Sequence, residues 1–172
     1  KARETTVTAM FNNSVYGQSL PDFKNGVLVW ADADSAYSEG SGATSTIRSI
    51  SLTDTTVKTM KPGTYVHDPE YNGSVYAWLS GHHGPDTVLY YSPGAGRALE
   101  ADAGVVEFGL GSDFIAYSKN ETIWVYLFEK KKSYRLTPER ERAQFLGVSE
   151  NKVLWMDVTS RERDIMKYAP ID

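Results

Sequence analysis

Four ten-residue stretches of this chain close on a large aromatic: Pro21 to Trp30 (PDFKNGVLVW), Pro69 to Trp78 (PEYNGSVYAW), Phe108 to Tyr117 (FGLGSDFIAY) and Leu146 to Trp155 (LGVSENKVLW). The closing aromatics are 48, 39 and 38 residues apart. The same pieces surround each of them. A short strand enters a tight turn, at Lys24-Asn25-Gly26, Asn72-Gly73-Ser74, Gly111-Ser112-Asp113 and Ser149-Glu150-Asn151. Asn-Gly pairs tolerate the positive φ that a hairpin turn requires. An apolar second strand follows: Val27 to Trp30, Val75 to Trp78, Phe114 to Tyr117, Val153 to Trp155. After a loop of variable length, third strands open on Thr46-Ile47, Thr87-Val88, Thr122-Ile123 and Asp164-Ile165. Fourth strands are expected at Thr55 to Met60, Arg97 to Ala101 and Ser133 to Thr137.

A unit of about 40 residues made of short apolar strands buries its faces by stacking sheet on sheet, as propeller blades do. The expected fold is therefore all-β, a β-propeller of four four-stranded blades. It forms a single domain over 1–172, with repeat units near 5–54, 55–96, 97–132 and 133–172. The last unit lacks a fourth strand, and Thr5 to Met10 (TTVTAM) nearly duplicates Thr55 to Met60 (TTVKTM). The expectation is ring closure, with the N-terminal strand completing the seam blade. The closing aromatics are expected to pack between neighbouring blades, each meeting the same environment. The only helix-friendly stretch is Glu139 to Gln144.

The pattern resembles the TolB-type propeller repeats of bacterial and archaeal cell-surface proteins. Asn151-Lys152-Val153-Leu154-Trp155-Met156-Asp157, continuing to Asp164-Ile165-Met166-Lys167-Tyr168, carries the likeness most fully. Gly26 to Asp32 (GVLVWAD) matches its first half. Tyr117 stands where that repeat has Trp, and four units fall short of the usual six blades. The resemblance implies a non-enzymatic binding or sensory domain outside a bacterial cytoplasm, with a protein or cell-envelope ligand. It implies no reaction.

Composition narrows the classes. The 172 residues suit one domain, and 41% hydrophobic with 23% charged residues lie in the globular range. A net charge of -4 offers no basic stripe for nucleic acid. With no cysteine, disulfides and thiolate metal sites are excluded. No apolar run is long enough for a membrane span within this chain. The opening Lys1-Ala2-Arg3-Glu4 reads as a cut domain or mature form.

Candidate binding residues fall on loops expected along one edge of the ring, where function usually resides. The long insertion Asp32 to Ser45 carries Asp32, Asp34 and Tyr37. His67 and Asp68 precede a first strand, and His82, His83 and Asp86 lie in the following GHHGPD loop. Imidazole and carboxylate suit a divalent ion. Adjacent histidines and the absence of a helical HExxH fit a polar solvated loop better, so no metal and no cofactor are expected. Arg140 and Arg142 belong to a mixed-charge edge suited to a partner contact. Asp22, Asp68, Glu70 and Glu107 are expected along the axis. A carboxylate pair there makes glycan hydrolysis the enzymatic alternative, and a structural or oligomerisation module the other. No serine elbow, triad or phosphate loop is present, so no catalytic residue is assigned.

Overall fold

A computed structural model describes residues 21–33, 44–82, 84–94 and 96–172. Among the described residues, fifteen strands form four antiparallel sheets in chain order. The first contains β1 (Asp22–Lys24), β2 (Val27–Ala33), β3 (Thr44–Ser51) and β4 (Asp54–Thr64). The second contains β5 (Val66–Tyr71), β6 (Val75–Ser80), β7 (Val88–Pro93) and β8 (Leu99–Ala103). The third contains β9 (Glu107–Leu110), β10 (Phe114–Lys119), β11 (Thr122–Leu127) and β12 (Lys132–Arg135). The fourth has β13 (Ala143–Ser149), β14 (Lys152–Asp157) and β15 (Ile165–Pro170), three strands among the described residues. The proposed closing strand Thr5 to Met10 lies outside the described residues.

The repeat is visible in the hydrogen bonds. In every sheet the turn between first and second strands accepts from the residue after the third strand. The four bonds are Leu52 N to Gly26 O (2.8 Å), Gly94 N to Ser74 O (2.8 Å), Phe128 N to Asp113 O (3.1 Å) and Ile171 N to Asn151 O (2.8 Å). Asn25 and Gly26 take φ of 53° and 74°, the left-handed pair that a two-residue hairpin favours. Glu139 to Gln144 forms no helix. Ala143 and Phe145 are buried while Gln144 and Leu146 are exposed, and that period of two makes a strand.

Three apolar seams join the sheets. Val29, Ala31 and Ile47 of the first sheet pack on Val66 and Trp78 of the second. Val75, Ala77, Leu79, Leu89 and Tyr91 then meet Phe108, Leu110, Ile115 and Tyr117 of the third. Phe114, Ala116, Ile123 and Val125 meet Ala143, Phe145, Val153 and Trp155 of the fourth. Trp78, Tyr117 and Trp155 thus each face the preceding sheet, as their spacing implies. Strand β2 alternates so that Val29 and Ala31 face the second sheet, whereas Trp30, also buried, lies on the other side.

Close approach fixes one turn. Gly111 N donates to Phe114 O at 2.9 Å, and a Cβ on Gly111 would collide with the buried Phe114 ring. Gly111→Ala is expected to destabilise the protein by about 1–3 kcal/mol, the usual cost of overpacking. Urea unfolding measures it, and a loss below about 0.5 kcal/mol would show that the ring has room to move.

Candidate functional site

The first strands of the four sheets share one hollow. Residues of β1, β5, β9 and β13 enclose an open cavity of about 500 Å³. Its walls carry Asp22, Lys24, Glu70 and Glu107 with Phe108, Phe145 and Val148. Two irregularities shape it. The β5–β6 register shifts between His67 and Glu70, where Asp68 holds φ at 48°, and the β13–β14 register shifts between Phe145 and Gly147. Such bulges re-aim side chains, here Glu70 and Leu146.

The acids are fixed by the next sheet's backbone. Tyr71 N donates to Asp22 Oδ2 (3.1 Å), and Leu110 N donates to Glu70 Oε2 (2.7 Å). Asn25 Nδ2 donates to Asn72 O (3.0 Å), and Asn72 Nδ2 donates to Gly111 O (2.6 Å) and Ser112 O (3.1 Å). Each bond joins one sheet to its successor, so the cavity wall is laced across its seams. Burial pushes the Glu70 carboxyl up to about 7; the Leu110 N–H opposes the rise and the Asp22 charge adds to it. Glu70 therefore carries a proton part of the time near neutrality, beside ionisable Asp22 and Glu107.

Loops before the first strands meet the loops between second and third strands along one edge. Tyr65 stacks on His82 with ring centroids 4.8 Å apart, Gly104 N donates to Thr87 O (2.7 Å), and Val106 N donates to Ser118 O (3.0 Å). Arg142 forms a two-pronged ion pair with Glu121, with nitrogen–oxygen distances of 2.7 and 2.5 Å. A second hollow, about 510 Å³, opens on this edge between Pro85, Gly104, Val106 and Lys119.

The sequence candidates separate into several places. Asp32 is buried within β2 and ion-paired to Arg48 Nε at 2.5 Å. The long insertion is correspondingly shorter than Asp32 to Ser45, because both of its ends continue as strands. Asp34, Tyr37 and His83 lie outside the described residues. His67 is buried, its Nδ1 2.9 Å from Asp68 Oδ2 and its Nε2 3.2 Å from Gly81 O. His82, Asp86 and Arg140 are exposed on the loop edge. Of the axial acids, Asp22, Glu70 and Glu107 reach the cavity, while Asp68 turns to His67. Among the described residues, no three His, Asp or Glu side chains are grouped to hold a metal ion. No helix there is long and apolar enough to cross a membrane.

Two polar networks went unforeseen. The Tyr117 hydroxyl donates to Asp102 Oδ2 (2.6 Å) and shares a hydrogen bond with Ser133 Oγ (2.7 Å), while Lys119 Nζ reaches Asp102 Oδ1 (2.9 Å). Burial alone would raise the Asp102 carboxyl, but the Tyr117 and Lys119 bonds outweigh it and hold it low. In the fourth sheet Trp155 Nε1 donates to Glu141 Oε1 (2.6 Å), and Lys167 Nζ joins Glu141 Oε2 (2.5 Å) to Asp157 Oδ2 (2.7 Å). Hydrogen bonding to Lys167 draws Asp157 down to about 2. A buried indole N–H needs an acceptor, so Trp155 was the one sequence cue to Glu141.

No family model and no curated protein matches this sequence. Solved structures do. The β-propeller domain of the Trilobed protease from Pyrococcus furiosus, which has an open velcro topology, is similar at 9% identity and a TM-score of 0.61. That match covers 89% of this chain and 53% of the other. The acylaminoacyl peptidase of Pyrococcus horikoshii is similar at 12% identity and a TM-score of 0.59, over 91% of this chain and 32% of that one. The CNH domain of AfRom2 follows at 12% identity and a TM-score of 0.52, over 91% and 51%. The four sheets are thus built as propeller blades are. The chain spans about half the length, or less, of these similar structures.

Proposed function

We propose that this chain is a non-enzymatic binding propeller unit, displayed outside a bacterial cytoplasm, whose ligand is a polypeptide. A basic side chain of the ligand sits in the axial cavity. One observation carries the reading: acids from three successive sheets, Asp22, Glu70 and Glu107, line one open cavity beside a single Lys24. Backbone bonds across the seams hold Asp22 and Glu70 in place before any ligand arrives, and preorganised groups bind at lower entropic cost. Two of the similar propellers carry peptidase names, which supports a polypeptide as the ligand class. Likeness to TolB-type repeats supports the compartment. Glu107 begins β9 at the loop edge, so a ligand entering there passes exposed His82, Asp86 and Arg140.

Fluorescence anisotropy with labelled peptides tests this. Lysine- or arginine-bearing peptides are expected to bind more tightly than neutral or acidic ones, and more weakly as salt rises. Glu107→Gln, an exposed change, is expected to weaken binding about fivefold, on the order of 1 kcal/mol. Equal binding of basic and acidic peptides would sink the reading. The rival is glycan hydrolysis, favoured by one feature: burial raises the Glu70 carboxyl to about 7 in a cavity it shares with Asp22 and Glu107, and a raised acid beside a second carboxylate is what a glycosidase uses. Polysaccharide cleavage that Glu70→Gln abolishes would establish the rival.

A further inference from the structure

Among the charged groups that line the hollow shared by the first strands, Lys24 alone is positive. It follows Asp22 by two residues on β1, so both side chains leave the same face of the strand, about 6–7 Å apart along it. Lys24 borders the β1–β2 turn, whereas Glu107 opens β9 at the loop edge. Between them, Asp22 accepts from Tyr71 N and Glu70 from Leu110 N, at the turn-side ends of β5 and β9. The hollow therefore runs from Glu107, past Asp22 and Glu70, to a cation. Lys24 is exposed, and among the described residues no carboxylate forms a salt bridge with it. Asp22 and Glu70 each use one oxygen in their backbone bonds, and among the described residues the second accepts none.

We propose that Lys24 binds the terminal carboxylate of the ligand, so that the preferred ligand is a polypeptide ending in lysine or arginine. Such a specificity presupposes the peptide binding described above and narrows it to one chain end. A C-terminal lysine carries both charges on a single residue. Its four-carbon stem sets the ammonium about 6–7 Å from the α-carboxylate, close to the spacing of Asp22 and Lys24 along β1. Phe145 and Val148 of β13 offer that stem an apolar wall. A basic residue inside a chain supplies only the cation, which Lys24 repels. An acidic neighbour does not mend this, because successive side chains of an extended peptide point to opposite faces. At about 500 Å³ the hollow has the size of a small-ligand site, which suits a chain end more than a segment that must enter and leave. Hydrogen bonds between ammonium and carboxylate are roughly twice as strong as neutral ones, so the α-carboxylate is a feature worth discriminating.

Fluorescence anisotropy with one short labelled peptide ending in lysine, prepared as the free acid and as the C-terminal amide, tests this. The acid is expected to bind about tenfold more tightly. Lys24→Met should weaken the acid about tenfold and tighten the amide about twofold, since it removes a partner from one and a like charge from the other. Lys24→Arg should keep the preference. A role for Lys24 in folding alone would move both peptides together. Circular dichroism establishes that each variant folds, and Lys24→Gln replaces the methionine variant if it does not. Equal affinities for acid and amide overturn the proposal and leave the binding of basic peptides standing, as does an equal effect of Lys24→Met on the two. Equal binding of basic and acidic peptides overturns both.

Discussion

Trp155→Ala is expected to destabilise the protein by about 3–5 kcal/mol, the usual loss for a large aromatic removed from a core. The indole is buried among Phe114, Ala116, Ile123 and Val125, which belong to the third sheet. It is therefore the main plug of the last seam, and a cavity there loosens one sheet from its neighbour. A second cost adds to the first. Trp155 Nε1 donates to Glu141, whose side chain is only 7% exposed and depends on that bond and on Lys167. A buried carboxylate deprived of a donor pays about 1–3 kcal/mol. Trp155→Phe separates the two costs, since it keeps a ring in the seam and removes only the donor. Its loss should be about 1–3 kcal/mol. Urea denaturation followed by fluorescence of the remaining tryptophans gives both values. If the alanine variant lost less than about 1 kcal/mol, the indole could not be the plug described.

The aromatic spacing made the sheet stack legible because one physical demand recurs at each step. Every sheet must cover the far side of the one before it, and Trp78, Tyr117 and Trp155 do so in register. Turn chemistry was legible for the same reason: Asn25-Gly26 has few alternatives at positive φ. Strand ends were less so. The expected Thr55 to Met60 extends to Asp54–Thr64, because pairing with β3 continues past the apolar core. Closure of four blades into a circle turned on the likeness of two terminal strands, and sequence likeness says nothing of curvature.

The site was only half legible. Composition and repeat position placed Asp22, Glu70 and Glu107 near the axis, since first strands are innermost. Which acids point inward depends on bulges. Asp68 reads like Glu70 in sequence, yet its left-handed backbone turns its carboxylate to His67. The histidines drew attention as rare residues. His67 instead satisfies itself against Asp68 and Gly81, a local arrangement that spacing alone does not reveal.

Glu70→Gln should stabilise the protein at pH 8 and do little at pH 5. Burial raises the Glu70 carboxyl from its ordinary 4.5 to about 7, so the folded state holds a proton that the unfolded chain has already released. Between those values the native protein binds more protons than the unfolded one, and stability must fall as pH rises through the window. Below about 4.5 both states are protonated and the contribution is fully present; above about 7 it is gone. A shift of this size corresponds to about 3 kcal/mol as an upper figure, since one unit is worth ~1.4 kcal/mol. Glutamine keeps an oxygen for the Leu110 N–H and carries no charge to desolvate. The variant should therefore unfold at higher urea than wild type at pH 8, by as much as about 2–3 kcal/mol, and the two curves should converge toward pH 5. Lys24, near enough to favour the ionised form, offsets part of the penalty, so Lys24→Met should steepen the wild-type fall with pH. An equal change in stability from pH 5 to pH 8 in the wild type and in Glu70→Gln would show that the carboxyl ionises freely in the cavity.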